Sequence, residues 1–202
     1  MNRIIDKQQF SEKVFKLVVE APLIAKSRKA GNFVIVKASE NSERIPLTIA
    51  QADKEKGTIT LVIQEVGFST TKICKMNAGD YLADVVGPLG KPTEIKNYGT
   101  VVCAGGGVGT APLLPIVEAL KKAGNRVITV IAGRSKELII LEKEMQEYSD
   151  EVIIMTDDGS YGEKGLVTDA LKQLIEAGNK YDEVITIGPL IMMKFVCKLT
   201  KE

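Results

Sequence analysis

The sequence predicts two architectures in one chain: an all-β, six-stranded antiparallel barrel, then an α/β domain with a doubly wound parallel sheet. Three observations carry this. Through residue 95 the chain is a series of short runs rich in Val, Ile, Phe and Thr, punctuated by Gly, Pro and Asn, which is strand grammar. From residue 100 onward, apolar strand-like runs alternate with segments of helix length, the pattern of βαβ units. At the first of those junctions stands Gly105-Gly106-Gly107-Val108-Gly109, a turn dense enough in glycine to let the backbone approach something closely.

In chain order, the strand runs of the first part cover residues 4–10, 14–20, 33–38, 44–50, 58–66 and 80–86. Strands of this length and spacing close most readily into a small barrel, which removes exposed edges. Residues 51–57 read as a polar turn, and residues 68–78 as a short helix opened by Gly67 and by the hydroxyls of Ser69, Thr70 and Thr71. Gly87-Pro88-Leu89-Gly90-Lys91-Pro92 is a rigid turn that marks the boundary, so the domains are expected at 1–96 and 97–202. In the second domain strands are expected at 100–104, 126–132, 151–156 and 183–187, with helices at 112–123, 137–148, 166–177 and 190–200. Gly124-Asn125 and Gly178-Asn179 are the stop signals of two of those helices. The strands are apolar nearly throughout, as in a parallel sheet covered on both faces, and such sheets bind ligands at the carboxyl ends of their strands.

Composition narrows the function. Net charge is +1 and no block of like charge occurs, so neither nucleic acid nor an anionic membrane is an expected partner. No apolar run reaches the roughly 18 residues of a membrane span, and the first residues lack a signal core, so the expected location is cytoplasmic. Cys74, Cys103 and Cys197 are far apart without a C-x-x-C pair. They read as buried apolar residues, and no metal site is expected. The chain has no histidine, which removes the commonest general base. Chemistry here is therefore expected from a cofactor.

The stretch from Thr100 through Leu114 runs from apolar strand through the glycine turn into a helix with Pro112 near its start, the form of a nucleotide-phosphate cradle. It departs from G-x-G-x-x-G, since Thr110 stands where a third glycine would fall. The acid that usually meets the ribose after the next strand is also missing, and Ala132-Gly133-Arg134-Ser135-Lys136 stands there instead. A tight turn without a ligand is the plain alternative.

Read together, Arg44-Ile45-Pro46-Leu47-Thr48-Ile49, Gln64-Glu65-Val66-Gly67-Phe68-Ser69-Thr70, the glycine turn, Asp157-Asp158-Gly159-Ser160-Tyr161-Gly162 and Gly188-Pro189-Leu190-Ile191-Met192-Met193 resemble, in this order, the ferredoxin–NADP reductase superfamily of flavoproteins. Within it the sequence is most similar to the alpha-subunit family of NADH-dependent reduced ferredoxin:NADP oxidoreductase. The resemblance implies an FAD-binding barrel, with Arg44 on the pyrophosphate and Pro46, Leu47, Thr48, Val62, Ile63, Gln64, Gly67, Ser69 and Thr70 around the flavin. It implies NAD(H) or NADP(H) at Gly106, Gly107, Val108, Gly109, Thr110, Arg134, Asp157, Asp158, Gly188, Pro189 and Met192. Thr48 and Thr110 are the expected hydroxyl contacts near the reacting rings. Arg134 and Lys136 point by the general fingerprint to a 2′-phosphate, whereas the resemblance implies NADH, so the nucleotide stays open. The implied activity is hydride transfer between nucleotide and FAD, with electrons passed to a larger flavin or iron–sulfur partner subunit.

The family continues into one more strand and a cysteine-rich segment holding a [2Fe-2S] cluster, so that cluster is expected only where this segment is present in the native protein. Without it, the strand at 183–187 is expected either to self-associate through its edge or to be covered by the helix at 190–200. Two alternatives stand beside this reading. One is the electron-transfer subunit of dihydroorotate dehydrogenase; the other is a nucleotide-binding assembly subunit that catalyses nothing.

Overall fold

The computed structural model describes residues 1–178 and 180–201, so the stop signal at Asn179 and the chain end at Glu202 lie outside the described residues. The chain folds as two compact units, Met1–Thr93 and the chain from Glu94 onward.

The first unit contains β1 (Asn2–Ser11), β2 (Val14–Glu20), α1 (Pro22–Ser27), β3 (Phe33–Lys37), β4 (Arg44–Asp53), β5 (Thr58–Gln64), α2 (Phe68–Cys74), β6 (Tyr81–Leu82) and β7 (Asp84–Leu89). One antiparallel sheet joins the strands in the order β6-β1-β2-β5-β4-β3-β7. The run expected as a single strand over 80–86 is divided at Ala83, which makes seven strands instead of six. Its first half pairs with β1 and its second with β3, so consecutive residues carry both edges of the sheet and nearly close the barrel. Closure is the physical reason for the break, because one straight strand cannot pair at both ends of a sheet. Alternate residues of β5 (Ile59, Leu61 and Ile63) are at most 1% exposed and join Leu17, Val34 and Ile49 in the barrel core. The strand β4 runs on to Asp53, so the turn expected at 51–57 is shorter, and α2 ends at Cys74, before the expected 78.

The second unit contains β8 (Thr100–Gly106), α3 (Thr110–Lys122), β9 (Arg126–Gly133), α4 (Glu142–Tyr148), β10 (Glu151–Thr156), β11 (Glu163–Lys164), α5 (Val167–Glu176), β12 (Glu183–Ile187) and α6 (Leu190–Leu199). The sheet order is β11-β10-β9-β8-β12 with every pair parallel. Val101, Val102, Cys103 and Ala104 are at most 1% exposed in succession, which follows from a central strand covered on both faces. Val102 and Ala104 lie in one cluster with Val167, Ala170 and Leu171 of α5 and Val196 of α6. The helix expected from 137 starts later, at Glu142. A 3-10 turn (Lys136–Leu138) precedes it, and Leu141 is turned to φ 59° while its side chain is buried.

Two features of this unit position the site. The chain leaves β8 through α3 to β9 on one side, yet the strand on the other side of β8 is β12, so the strand order reverses at β8. And β12 is the sheet edge, paired among the described residues only with β8, while Val184 packs with Val196 of α6 on one face.

Candidate functional site

The strand order reverses at β8, between β9 and β12, and open α/β sheets hold ligands in a crevice outside the carboxyl ends of the strands at such a reversal. The glycine turn and Gly188-Pro189 meet there, because Gly105 and Ile187 are register partners. The glycines divide by role. A Cβ on Gly109 would stand 2.5 Å from the Ile187 carbonyl oxygen and 2.9 Å from Gly188 Cα. One on Gly106 would stand 2.5 Å from Met192 Sδ, and one on Gly188 would stand 2.6 Å from Met192 Cε. These three glycines let two strand ends and the first turn of α6 close on one another, with Met192 as the wedge. Gly107 differs: its φ is +54° and a Cβ there would meet nothing within 4 Å. So the turn Gly107–Gly109 is partly exposed at these strand ends, and Gly107 faces open space.

Thr110 is placed otherwise than the sequence reading expects. It is 0% exposed, its hydroxyl would lie 3.1 Å from a Cβ on Gly105, and that hydroxyl has no hydrogen-bond partner. Its amide turns back to the carbonyls of Gly107 and Val108. Gly107, Val108 and Gly109, by contrast, are partly exposed. Pro112, third in α3, offers no N–H to a ligand.

Beyond β8, Gly133 and Thr156 are register partners at the ends of β9 and β10, which brings Arg134 beside Asp157 and Asp158. The Asp158 amide donates to the Arg134 carbonyl at 3.2 Å, and the Asp157 amide to that of Gly133 at 3.1 Å.

In the barrel unit, β4 and the start of α2 come together through the residue before β4. The Ser69 hydroxyl, buried at 9% exposure, donates to Glu43 Oε2 at 3.0 Å. Thr70 Oγ1 accepts the amides of Val66 and Gly67, both at 3.0 Å, so this hydroxyl caps its own helix. Arg44 is half exposed and its Nη1 donates to Asp84 Oδ2 at 2.5 Å, which holds the Asp84 carboxyl below the usual carboxylate range. Pro46 and Gln64 are exposed, and Leu47 and Thr48 are half-buried opposite Val34 and Phe33. Val62 is buried and Ile63 lies in the barrel core, so only its backbone is left to meet a ligand. Sequence reasoning missed Asp84 and Glu43. The signal is in the register: Arg44 and Asp84 both stand opposite Lys37 on β3, although they are 40 residues apart in the chain.

Burial raises the Cys74 thiol to about 11 and the Cys103 thiol to about 12, so neither is a thiolate near neutral pH. Cys197 is exposed, contrary to the expected burial. Among the described residues no cluster of His, Cys, Asp and Glu could hold a metal ion, and no helix is long and apolar enough to cross a membrane.

Comparison with known proteins agrees with this architecture. Residues 103–198 match the oxidoreductase NAD-binding domain family. The chain is 44% identical to the dihydroorotate dehydrogenase B (NAD(+)) electron transfer subunit homolog of Thermotoga maritima, over 100% of this chain and 71% of that protein. It is 34% identical to the dihydroorotate dehydrogenase B (NAD(+)) electron transfer subunit of Clostridium perfringens, over 99% of this chain and 77% of that protein. A solved structure of NADH-dependent reduced ferredoxin-NADP oxidoreductase superposes with a TM-score of 0.93 at 42% identity, over 100% of this chain and 72% of that one. The chain belongs to the ferredoxin–NADP reductase-like family of NAD-linked electron-transfer oxidoreductases that includes the dihydroorotate dehydrogenase B electron-transfer subunits and their homologues.

Proposed function

We propose that this chain is an electron-transfer subunit that binds NADH in its parallel-sheet unit and FAD on its barrel unit, takes a hydride from the nucleotide and passes electrons to a larger partner subunit. The observation that carries the reading is the crevice at the strand-order reversal, lipped by Gly107–Gly109 and closed by Met192 against Gly106 and Gly188. Gly107 needs its glycine for a positive φ and not for packing, so the space over it is open to a dinucleotide backbone. Gly106, Gly109 and Gly188 hold the lip rigid, and Thr110 acts from within as filler under Gly105.

On the barrel unit, Arg44 is fixed by Asp84 through one nitrogen and keeps the rest of its guanidinium donors for a pyrophosphate. The backbone of β4 from Pro46 to Thr48 and the end of β5 at Gln64 supply the surface for a ring. Ser69 and Thr70, bonded to Glu43 and to the helix start, keep the α2 opening in shape. FAD when bound supplies the hydride-accepting and electron-passing chemistry, which a chain without histidine does not provide from its own side chains. What the protein contributes is position and exclusion of water. The relatives named for dihydroorotate dehydrogenase and for ferredoxin-NADP oxidoreductase set two candidate partner classes.

The test is direct. FAD added at micromolar concentration to purified, flavin-stripped protein loses fluorescence and the complex is yellow. A colourless protein that leaves FAD fluorescence unchanged contradicts the reading and leaves a nucleotide-binding assembly subunit in its place.

A further inference from the structure

Asn125 follows the stop of α3 at Gly124, and a helix stop needs no more than bonds to the last carbonyls of its own helix. Its side chain does more. It is 2% exposed, and its nitrogen donates to the Leu120 carbonyl at 2.8 Å, which closes α3. The other bonds reach far back along the chain. The same nitrogen donates to the Lys96 carbonyl at 2.8 Å, and the side-chain oxygen accepts the amides of Tyr98 at 2.7 Å and Gly99 at 3.2 Å. Two acceptor sites and two N–H groups are all that this side chain has, so most of it is spent on the segment that enters β8. The Arg126 amide adds a bond to the Gly99 carbonyl at 2.9 Å.

The barrel unit holds the other end of that segment. The Thr93 amide donates to the Ala30 carbonyl at 3.0 Å, and Gly31 lies so close that a Cβ there would stand 2.5 Å from Thr93 Oγ1. Beside it, buried Asn32 donates to the carbonyls of Leu89 and Gly90, both at 3.1 Å. Between Thr93, held by the barrel unit, and Lys96, held by Asn125, stand only Glu94 and Ile95. The ion pair of Lys96 with Glu94 is exposed, and such pairs contribute little.

We propose that Asn125 is a positioning residue for hydride transfer: it fixes the connecting segment to the nucleotide unit and so confines the joint with the barrel unit to Glu94 and Ile95. The inference rests on the proposed assignment of NADH to one unit and FAD to the other. In that step a hydride with its electron pair passes from NADH, leaving NAD+, to FAD, leaving its anionic reduced form. Each molecule is bound within one unit, whereas the step itself needs reacting atoms about 3–3.5 Å apart, and a misplacement of about 1 Å costs on the order of 10²-fold. A longer free joint spreads the units over more arrangements, of which the same few are reactive. Loosening the pin therefore lowers the rate of the step and leaves both affinities in place.

Asn125→Asp keeps acceptor oxygens for Tyr98 and Gly99 and loses the N–H groups that hold Lys96 and Leu120. The first readout needs no cofactor. Trypsin cuts after Lys96, where Asn125 holds the carbonyl, so cleavage there should run severalfold faster in Asn125→Asp than in the wild type. The second readout is stopped-flow reduction of the FAD-loaded protein. The limiting rate at saturating NADH should fall about tenfold or more, with the half-saturating NADH concentration and the FAD dissociation constant within about twofold of wild type. A second variant, with two glycines inserted between Glu94 and Ile95, leaves Asn125 untouched and should lower the limiting rate likewise. Unchanged cleavage at Lys96, or an insertion variant that reduces the flavin at the wild-type rate, overturns the proposal. So does a rate loss in Asn125→Asp that tracks a loss of NADH affinity, which would show the residue acting through α3 and the glycine turn. A wild type that leaves its flavin oxidised overturns the functional reading and this inference with it, whereas the variant outcomes overturn the inference alone.

Discussion

Two openings in this molecule share one sequence grammar, glycine and hydroxyl residues running into a helix, and they fold to opposite ends. At the start of α2, Thr70 caps the amides of Val66 and Gly67 and Ser69 is tied to Glu43, so the hydroxyls are used up in making the opening. At the start of α3 the hydroxyl of Thr110 is buried without a partner, and the glycines do the work by allowing close approach. Hydroxyls beside a helix start thus take two different environments in one chain. What separates the two is the packing behind the turn: the α3 opening is clamped between β8 and β12, while the α2 opening lies on the barrel surface with Phe68 80% exposed.

The largest expected effect lies within the glycine turn. Gly107→Val places a side chain in open space over the crevice, so it should abolish NADH reduction of the flavin while FAD stays bound. Its left-handed backbone adds a stability loss of about 1–2 kcal/mol. Gly109→Ala acts through the protein instead, forcing Ile187 and Gly188 apart at a cost of roughly 1–3 kcal/mol in urea unfolding. Equal stability loss with intact NADH reduction in both variants would show that the lip of the crevice lies elsewhere.

Next in size is Arg44→Ala, which should weaken FAD binding by roughly 1.5–3 kcal/mol, the range for a hydrogen bond to a charged group, and leave NADH affinity unchanged. Calorimetric titration of the two ligands separates the effects, and loss of NADH binding alone would mean that the two sites are exchanged.

The two threonines give the sharpest contrast at smaller scale. Thr70→Val removes a cap and should destabilise by about 1 kcal/mol. Thr110→Val replaces an unpaired buried hydroxyl with a methyl of the same shape, so stability should hold or rise by about 1 kcal/mol, with NADH affinity unchanged. A large loss of NADH affinity in Thr110→Val would restore that hydroxyl as a ligand contact.

Those contrasts also show what the sequence reveals and what it hides. The barrel, the parallel sheet and the apolar strands β8, β10 and β12 are legible because burial imposes its period on neighbouring residues. The pairing of Arg44 with Asp84 is not, since it depends on both strands sharing β3 as neighbour. Asn125 reads as a helix stop, yet its buried side chain accepts the amides of Tyr98 and Gly99 and donates to the carbonyls of Lys96 and Leu120. The six-residue α1 is hidden because its Pro22 looks like a turn. The glycine turn is visible as a motif, but which glycines serve packing and which faces open space is a matter of distances to β12 and α6.

The smallest effect concerns acid. Asp150 accepts from Lys121 Nζ and from the Val127 amide, and Lys121 foremost holds its carboxyl below the ordinary 3.8. A depressed folded value means stability that is complete above the unfolded carboxylate pKa and lost as pH falls through the folded one. Below about pH 4 the wild type should therefore lose stability more steeply than Asp150→Asn. Parallel acid titrations of the two proteins, followed by circular dichroism, check this, and parallel curves would remove Asp150 from the account.

The most direct test of the central claim is the flavin absorbance of the FAD-loaded protein mixed anaerobically with a slight excess of NADH. The account predicts bleaching of the oxidised flavin band with matching loss of the NADH band, one hydride equivalent per flavin. A protein that binds both molecules while the flavin stays oxidised would contradict it.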